Sequence, residues 1–389
     1  MAIATKESET RLGNHRSGFR IEMSPQIEIL LVAVVVSVSC ALPGVFLILR
    51  QMALMSDAIS HSVLLGIVVG FLIIGQVDSP VLLIFAAAAG VATVSLVELL
   101  HRTQLVKEDA AIGIVFPALF SIGVILVTKY ASNVHLDQDV VLLGEIALAP
   151  FDRVTIFGLS LPRGLVAMGL ILVVNLLCIA VFYKELKIST FDVGLATALG
   201  FSPAFIHYGL MSLVSITAVG AFHAVGAVLV VALMIVPPST AYLLTDRLSV
   251  MLVISSLVGT ISAIMGYVVA IKMDASVAGA MASMTGICFL LAFLMAPQRG
   301  ILATVYRRLR QKWEFAQTML LIHLINHEDR EDEVEECSLD RINHHLCWDQ
   351  AFAQNVVWHA EKQGSIQIQD QILRLTNRGR KIANQAFTR

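Results

Sequence analysis

The chain has 389 residues, 57% hydrophobic and only 14% charged, with a mean hydropathy of +0.79; no soluble domain has that balance, so this is a polytopic membrane protein. A net charge of −2 gives the chain as a whole no attraction for nucleic acid. Its five cysteines build neither a disulfide framework nor a zinc site, since Cys40, Cys178 and Cys288 lie singly in apolar runs and Cys337 and Cys347 have no metal-ligand spacing. Charge is nearly absent from about residue 27 to 296 and dense at both ends. The expected division is a polar N-terminal tail (1–26), a membrane domain (27–297) and a polar C-terminal domain (298–389).

In chain order, the tail has mixed charge and no apolar core before a small-residue cleavage site, so it reads as a flexible tail and not a signal peptide. A first span covers about 27–49, and Pro43-Gly44 in its second half predicts a kink or break. The second, LRQMALMSDAISHSVLLGIVVGFLIIG from Leu49 to Gly75, carries one acid and one histidine in its first half, Asp57 and His61. A third span covers about 80–100, and a short fourth about 112–128. Residues 129–160 form the longest connection, and a re-entrant or interfacial element at Val140 to Ala149 fits their mixed polarity. A fifth span runs from about 163 to 183. YKELKISTFDVGLATALGFSPA follows, too polar to cross lipid but with helical spacing, and reads as one short helix outside the bilayer. Phe205 to Leu244 exceeds the roughly 20 residues of one span and divides at Gly220 to Gly226. Spans at 248–271 and 276–296 bring the total to about nine. Lysine and arginine placement puts Arg50, Arg102, Lys107, Lys184, Lys187, Arg247 and Arg299 inside, with the C-terminal domain, and the N-terminus outside.

Asp57 and His61 stand one helical turn apart and share a face. Ionisable groups inside a span are costly and mark an ion or substrate path. An oxygen and a nitrogen donor suit Mn²⁺, Zn²⁺ or Fe²⁺ better than Ca²⁺. One chain supplies two of the roughly four to six ligands such ions take, and a two-fold dimer would complete an Asp₂His₂ site. The same pair would also serve as a proton relay, or as a helix-end pair. An intramembrane protease is excluded, because the spacing is D-x-x-x-H and not H-E-x-x-H. His223 is a candidate for the gate or pathway, with a hydrogen-bonded interfacial role as its alternative. His207, Asn175 and Glu98 read as hydrogen bonders between helices or at helix ends. Pro237 and Pro238, also placed on the pathway, must interrupt or bend their helix, and the freed carbonyls would be taken by Ser239 or Thr240. The chain has no G-x-x-x-x-G-K-[ST] and no Gly-Lys at all, so ATP hydrolysis, if used, belongs to another polypeptide.

LPGVFLILRQMALMSDAISHSVLLGIVVGFLI, FDVGLATALGFSPAF and VGAVLVVALMIVPPSTAYLL, in this order, resemble the transmembrane permease subunits of bacterial ABC importers for manganese, zinc and iron, over about residues 27–297. The resemblance implies an all-α polytopic permease that moves a divalent metal ion across the cytoplasmic membrane by alternating access. Its partners would be cytosolic ABC ATPase subunits, an extracytoplasmic metal-binding protein and a second permease chain, identical or paralogous. The family's metal-site acid and histidine fall on Asp57 and His61. Its coupling helix to the ATPase falls on about Phe191 to Pro203, including Asp192, Gly194, Ala196 and Gly200. The alternatives are a proton-coupled secondary metal transporter, which internal repeats with broken helices would mark, and a membrane-tethered, metal-responsive transcription regulator.

The C-terminal domain exceeds the minimal family pattern. WEFAQTMLLIHLIN (313–326) is an amphipathic helix and EDREDEVEE an acidic loop; helix, helix, two-stranded turn and helix follow. The ending GSIQIQDQILRLTNRGRKIA resembles the wing of a winged-helix domain of metal-responsive repressors, giving a small cytosolic α+β extension. Arg374, Arg378, Arg380 and Lys381 suit phosphate contacts, but the acidic loop and the membrane tether oppose a chromosomal target, and a regulatory or protein-contact module near the ATPases is expected instead. His323, His327, His344, His345 and His359 show no firm ligand spacing and read as a solvated face.

Overall fold

A computed structural model describes residues 24–76, 81–130, 146–156, 159–328, 330, 333–339 and 341–387. Two compact units divide at Leu294/Met295. In the first, the helices are α1 (Pro25–Leu49), α2 (Ala53–Ile74), α3 (Val81–Arg102), α4 (Glu108–Tyr130), α5 (Arg163–Val181), α6 (Tyr183–Phe191), α7 (Val193–Ala198), α8 (Pro203–Val225), α9 (Ala227–Leu244), α10 (Leu248–Met273) and α11 (Val277–Met295, which runs to the division). Among the described residues nine of them, all but α6 and α7, are long and apolar enough to cross a membrane. The α8–α9 boundary falls at Gly226, whose φ of 83° is open to glycine and strained for other residues.

Helix α1 is the centre of this unit, packed against α5, α8, α9 and α10. Val32, Val36, Cys40, Val45 and Phe46 are fully buried on its different sides, as expected of a helix apolar all round. Its Pro43 neither breaks the helix nor leaves a polar group stranded. Proline lacks the N–H that would bond the carbonyl four residues back, here Ser39. The Asn175 Nδ2–H of α5 donates to that carbonyl at 3.0 Å and to Thr217 Oγ1 of α8 at 3.0 Å, tying three helices at one buried point.

Several details depart from the sequence reading. Helix α4 has 23 residues and is not short. Its first turn carries Glu108 and Asp109 and its last Lys129, charges that complement the helix dipole. The polar stretch after α5 forms two helices, because Asp192 adopts an extended backbone and caps α7. Ile146–Leu148 is a single 3₁₀ turn; residues 140–145, the rest of the expected interfacial element, lie outside the described residues, as do residues 1–23 of the tail. A hairpin pairs β1 (Arg153–Ile156) with β2 (Leu159–Pro162), Arg153 facing Pro162. Arg153 Nη2 donates to Glu28 Oε1 at 2.7 Å and Nε to Ser160 Oγ at 2.8 Å. Glu28 is only 1% exposed, so this pair holds the start of α1 to the connection before α5.

The second unit contains α12 (Ile301–His327), α13 (Glu333–Glu336), α14 (Ile342–His345), α15 (Gln350–Lys362), the antiparallel strands β3 (Ile366–Gln369) and β4 (Ile372–Leu375), and α16 (Asn377–Phe387). Helix α12 is longer than the expected amphipathic segment because the basic run Arg307 to Lys312 before it is made of good helix formers. Leu320, Leu321 and Leu324 of α12 join Val356, Val357, Ala360, Leu373 and Ala383 in a separate core.

Replacing Asn175 by Leu should lower the thermal unfolding temperature of the detergent-solubilised protein, with a loss of about 1–2 kcal/mol, because the Ser39 carbonyl and Thr217 hydroxyl lose their buried donor. Val173→Leu, on the exposed side of the same helix, should leave the temperature unchanged.

Candidate metal site and its link to the polar segment

Helix α1 ends in a tight stop. Gln51 takes a left-handed conformation (φ 61°), and the amides of Gln51 and Met52 return to the carbonyls of Ile48 (3.1 Å) and Leu47 (2.9 Å). Helix α2 starts at once, which places Asp57 and His61 in its second and third turns. Asp57 Oδ1 lies 3.4 Å from His61 Nε2, and the side chains keep 39% and 33% exposure. The His61 ring stacks on Phe116 of α4 (centroids 5.7 Å apart, planes at 25°) and meets the edge of Phe120 one turn on (5.7 Å, 77°). Two aromatic rings therefore fix the imidazole plane while Nε2 stays turned toward the carboxylate. A tetrahedral ion with bonds of about 2.1 Å holds its donors about 3.4 Å apart, so Oδ1 and Nε2 stand at the separation one ion requires.

The proline helix packs against the same turn. Ser56 Oγ, next to Asp57, donates to Met234 Sδ of α9 at 3.1 Å. Pro237 and Pro238 do not interrupt α9. The carbonyls they release belong to Leu233 and Met234, four residues back. Ser239 and Thr240 do not take these, because their hydroxyls bond Ile235 O (2.8 Å) and Val236 O (2.9 Å). The Met234 carbonyl lies instead directly against Gly44 of α1, where any Cβ would collide with it. His223 is not brought to Asp57 and His61. It sits exposed in the last turn of α8, about 24 Å along that helix from His207, which lies at the Arg50 end of α2.

Arg50, between α1 and α2, joins the start of α2 to the polar segment. Its Nη2 donates to Ser189 Oγ at 2.9 Å, Nε to Thr190 Oγ1 at 3.2 Å, and Nη1 meets His207 Nδ1 at 3.3 Å. A guanidinium only donates, so His207 accepts at Nδ1 and carries its proton on Nε2. Burial holds the Arg50 pKa below the ordinary arginine value. A cleft of about 350 Å³ opens beside this fork, between Leu49, Gln51 and Val193, so directional bonds share with packing the work of holding the junction.

Past the fork, Asp192 Oδ1 accepts from the Leu195 amide at 2.8 Å, and Ala196 is fully buried. Gly200 turns the chain at φ 85°, and Ser202 caps α8 with Pro203 as its first residue. Gly194 lies in the first turn of α7. Phe191, Val193, Leu195 and Leu199 are left 49–59% exposed, an apolar face on an otherwise polar segment.

Phe116, Phe120, Arg50 and Met234 escaped the sequence reading. An F-x-x-x-F in an apolar helix looks like any lipid-facing pair, and an arginine after an apolar run looks like a membrane boundary. Arg50→Gln should destabilise the protein by about 1–3 kcal/mol, seen as a lower unfolding temperature, because buried Ser189 and half-buried Thr190 and His207 lose their donor. Arg102→Gln, which removes an exposed pair with Glu98, should leave the melting curve in place.

Comparison with known proteins adds the following. A model of the ABC 3 transport family matches residues 26–296. The zinc transport system membrane protein TroD of Treponema pallidum is 51% identical over 357 residues, covering 92% of this chain and 97% of TroD. The manganese transport system membrane protein MntD of Bacillus subtilis is 50% identical over 295 residues, 76% of this chain and all of MntD. Among solved structures, PsaBC from Streptococcus pneumoniae in complex with Fab aligns with a TM-score of 0.60 at 30% identity, over 72% of this chain and 94% of that one.

Proposed function

Because the chain belongs to the ABC 3 transport family, we propose that it is the membrane permease subunit of an ATP-driven importer of first-row divalent metal ions, with Asp57 and His61 as ligands on the ion's path. The observation that carries the reading is the Asp57–His61 pair, 3.4 Å apart and half open, set by aromatic rings inside an apolar helix. The ion is cargo: the pair supplies one oxygen and one nitrogen, and a second permease chain across a two-fold axis supplies the remainder. TroD is named for zinc and MntD for manganese, which keeps the cargo within the class that an Asp/His donor set favours.

ATP hydrolysis lies on separate cytosolic subunits, which dock on the exposed apolar face of α7 and its flanks, from Phe191 through Leu199. Asp192 and Gly200 shape that face by starting and ending α7, and Pro203 starts the helix beyond it. Movement of the segment reaches α2 through the Arg50 fork, so nucleotide-driven displacement at Ser189 and Thr190 shifts the turn from which Asp57 is held. The packing of Met234 against Ser56 and Gly44 makes the Pro237–Pro238 stretch of α9 the second wall of the path, and His223 is assigned no step in it. An extracytoplasmic metal-binding protein delivers the ion to the opposite end. In this orientation the two ends are those marked by the Glu28–Arg153 pair outside and the Arg50 fork inside. The C-terminal unit then lies in the cytosol, and its hairpin followed by α16 supports a winged-helix-like regulatory module.

In proteoliposomes holding this chain with its ATPase and binding protein, Asp57→Ala should reduce ATP-dependent Zn²⁺ or Mn²⁺ uptake at least about tenfold while the complex still assembles, a loss of about 1.4 kcal/mol or more in ion stabilisation. Uptake equal to the native rate sinks the assignment of Asp57. Leu195→Asp should abolish co-purification with the ATPase and leave metal binding by the isolated permease intact; full co-purification would remove α7 from the interface.

A further inference from the structure

The histidines of the C-terminal unit, scattered in sequence, are gathered by its fold. His323 and His327 stand one turn apart on α12 with ring centroids 4.8 Å apart. Glu336 ends α13 and reaches back between them and α14: its Oε2 is 2.9 Å from His345 Nδ1 and 3.8 Å from His323 Nε2. The His323 and His345 rings stack with centroids 5.9 Å apart. One donor atom each from His323, His327 and Glu336 falls within 4.8 Å of the others. The cluster is sheltered, with the His323, Glu336 and His345 side chains 13%, 24% and 28% exposed.

The geometry points to a metal site in the C-terminal unit, formed by His323, His327, Glu336 and His345 and selective for a nitrogen-preferring divalent ion of the Zn²⁺ class. Three imidazoles around one carboxylate exceed what a hydrogen-bonded carboxylate needs, and their nitrogen lone pairs with the carboxylate oxygens form the donor set of a cation. Four donors from two side-chain types match a four-coordinate His₃Glu set: three of them lie within 4.8 Å of one another, near the tetrahedral edge of about 3.4 Å, and His345 meets the fourth side at Glu336. His323 Nε2 also lies 3.0 Å from the Glu336 main-chain oxygen, the kind of carbonyl contact that orients a ligating imidazole when its other nitrogen binds the ion. With three nitrogens, the set favours Zn²⁺ or Co²⁺ over Mn²⁺, which prefers oxygen. An ion there bridges the C-terminal end of α12 to α13 and α14, across the edge of the core formed by Leu324, Cys337 and Ile342. The site is independent of the import reading and stands or falls without it.

The test uses the full chain without a polyhistidine tag, purified in detergent, carrying Asp57→Ala and His61→Ala so that binding in the membrane unit is not counted. Titration with Co²⁺, followed by visible absorption and equilibrium dialysis, should show one equivalent per chain with the intense bands of tetrahedral Co²⁺, displaced by Zn²⁺. His323→Gln and Glu336→Gln should each weaken binding at least about tenfold, with His344→Gln, an exposed neighbour, unchanged. Mn²⁺ should compete at least about tenfold less well than Zn²⁺. Absence of a stoichiometric Co²⁺ equivalent in the Asp57→Ala/His61→Ala chain, or equal binding by the His323 and Glu336 variants, would overturn the proposal. Because the first of these outcomes needs no substitution in the C-terminal unit, misfolding of a cluster variant cannot rescue it.

Discussion

Inside a membrane every backbone polar group must find a protein partner, and this constraint organises the first unit around the prolines of its central helices. Pro43 releases the Ser39 carbonyl, and Asn175 answers it from α5 while also holding Thr217 of α8. Pro237 and Pro238 release two more carbonyls, and one of them, Met234, lies against the only kind of residue that leaves it room, Gly44. A helix that seemed due to break at Pro43 thus becomes the post on which α5, α8, α9 and α10 are hung. The prolines sit inside continuous helices, with the Ser39 and Met234 carbonyls each met by a neighbouring helix.

The same packing holds Asp57 and His61 from two directions. From the side, Phe116 and Phe120 of α4 hold the His61 ring, and Met234 of α9 engages Ser56 beside Asp57. From below, Arg50 forks onto Ser189, Thr190 and His207. The Arg50 turn leads directly into α2, and Asp57 lies four residues into that helix, about 6 Å along its axis. An arginine suits the junction better than a lysine would, since its planar fork serves three partners at once.

The second unit gathers side chains of the same types. Its core is built by α12, α15, the hairpin and α16, and its edge carries imidazoles and a carboxylate that meet only after folding. In the membrane unit one acid and one histidine are expensive and therefore conspicuous. In a polar domain, histidines and glutamates are ordinary, and only their convergence distinguishes them.

The sequence by itself determined the membrane class and the order of the spans, because lipid admits few spanning structures other than helices of about 20 apolar residues. It also determined that Asp57 and His61 share a face, a local consequence of 3.6 residues per turn, and that a polar helical segment interrupts the spans after α5. Tertiary structure alone decided what holds these elements: Asn175 lies 136 residues from the Ser39 carbonyl it bonds, and Arg50 lies 157 residues from His207. Periodicity reports only on neighbours within a turn or two, and such partners leave no mark in it. For the same reason Pro43 and Pro237 read as breaks, Ser239 and Thr240 as the partners of carbonyls that lie elsewhere, and the C-terminal histidines as a solvated face. Which polar atoms are satisfied, and by whom, is settled by helix packing, and that is a property of the folded chain.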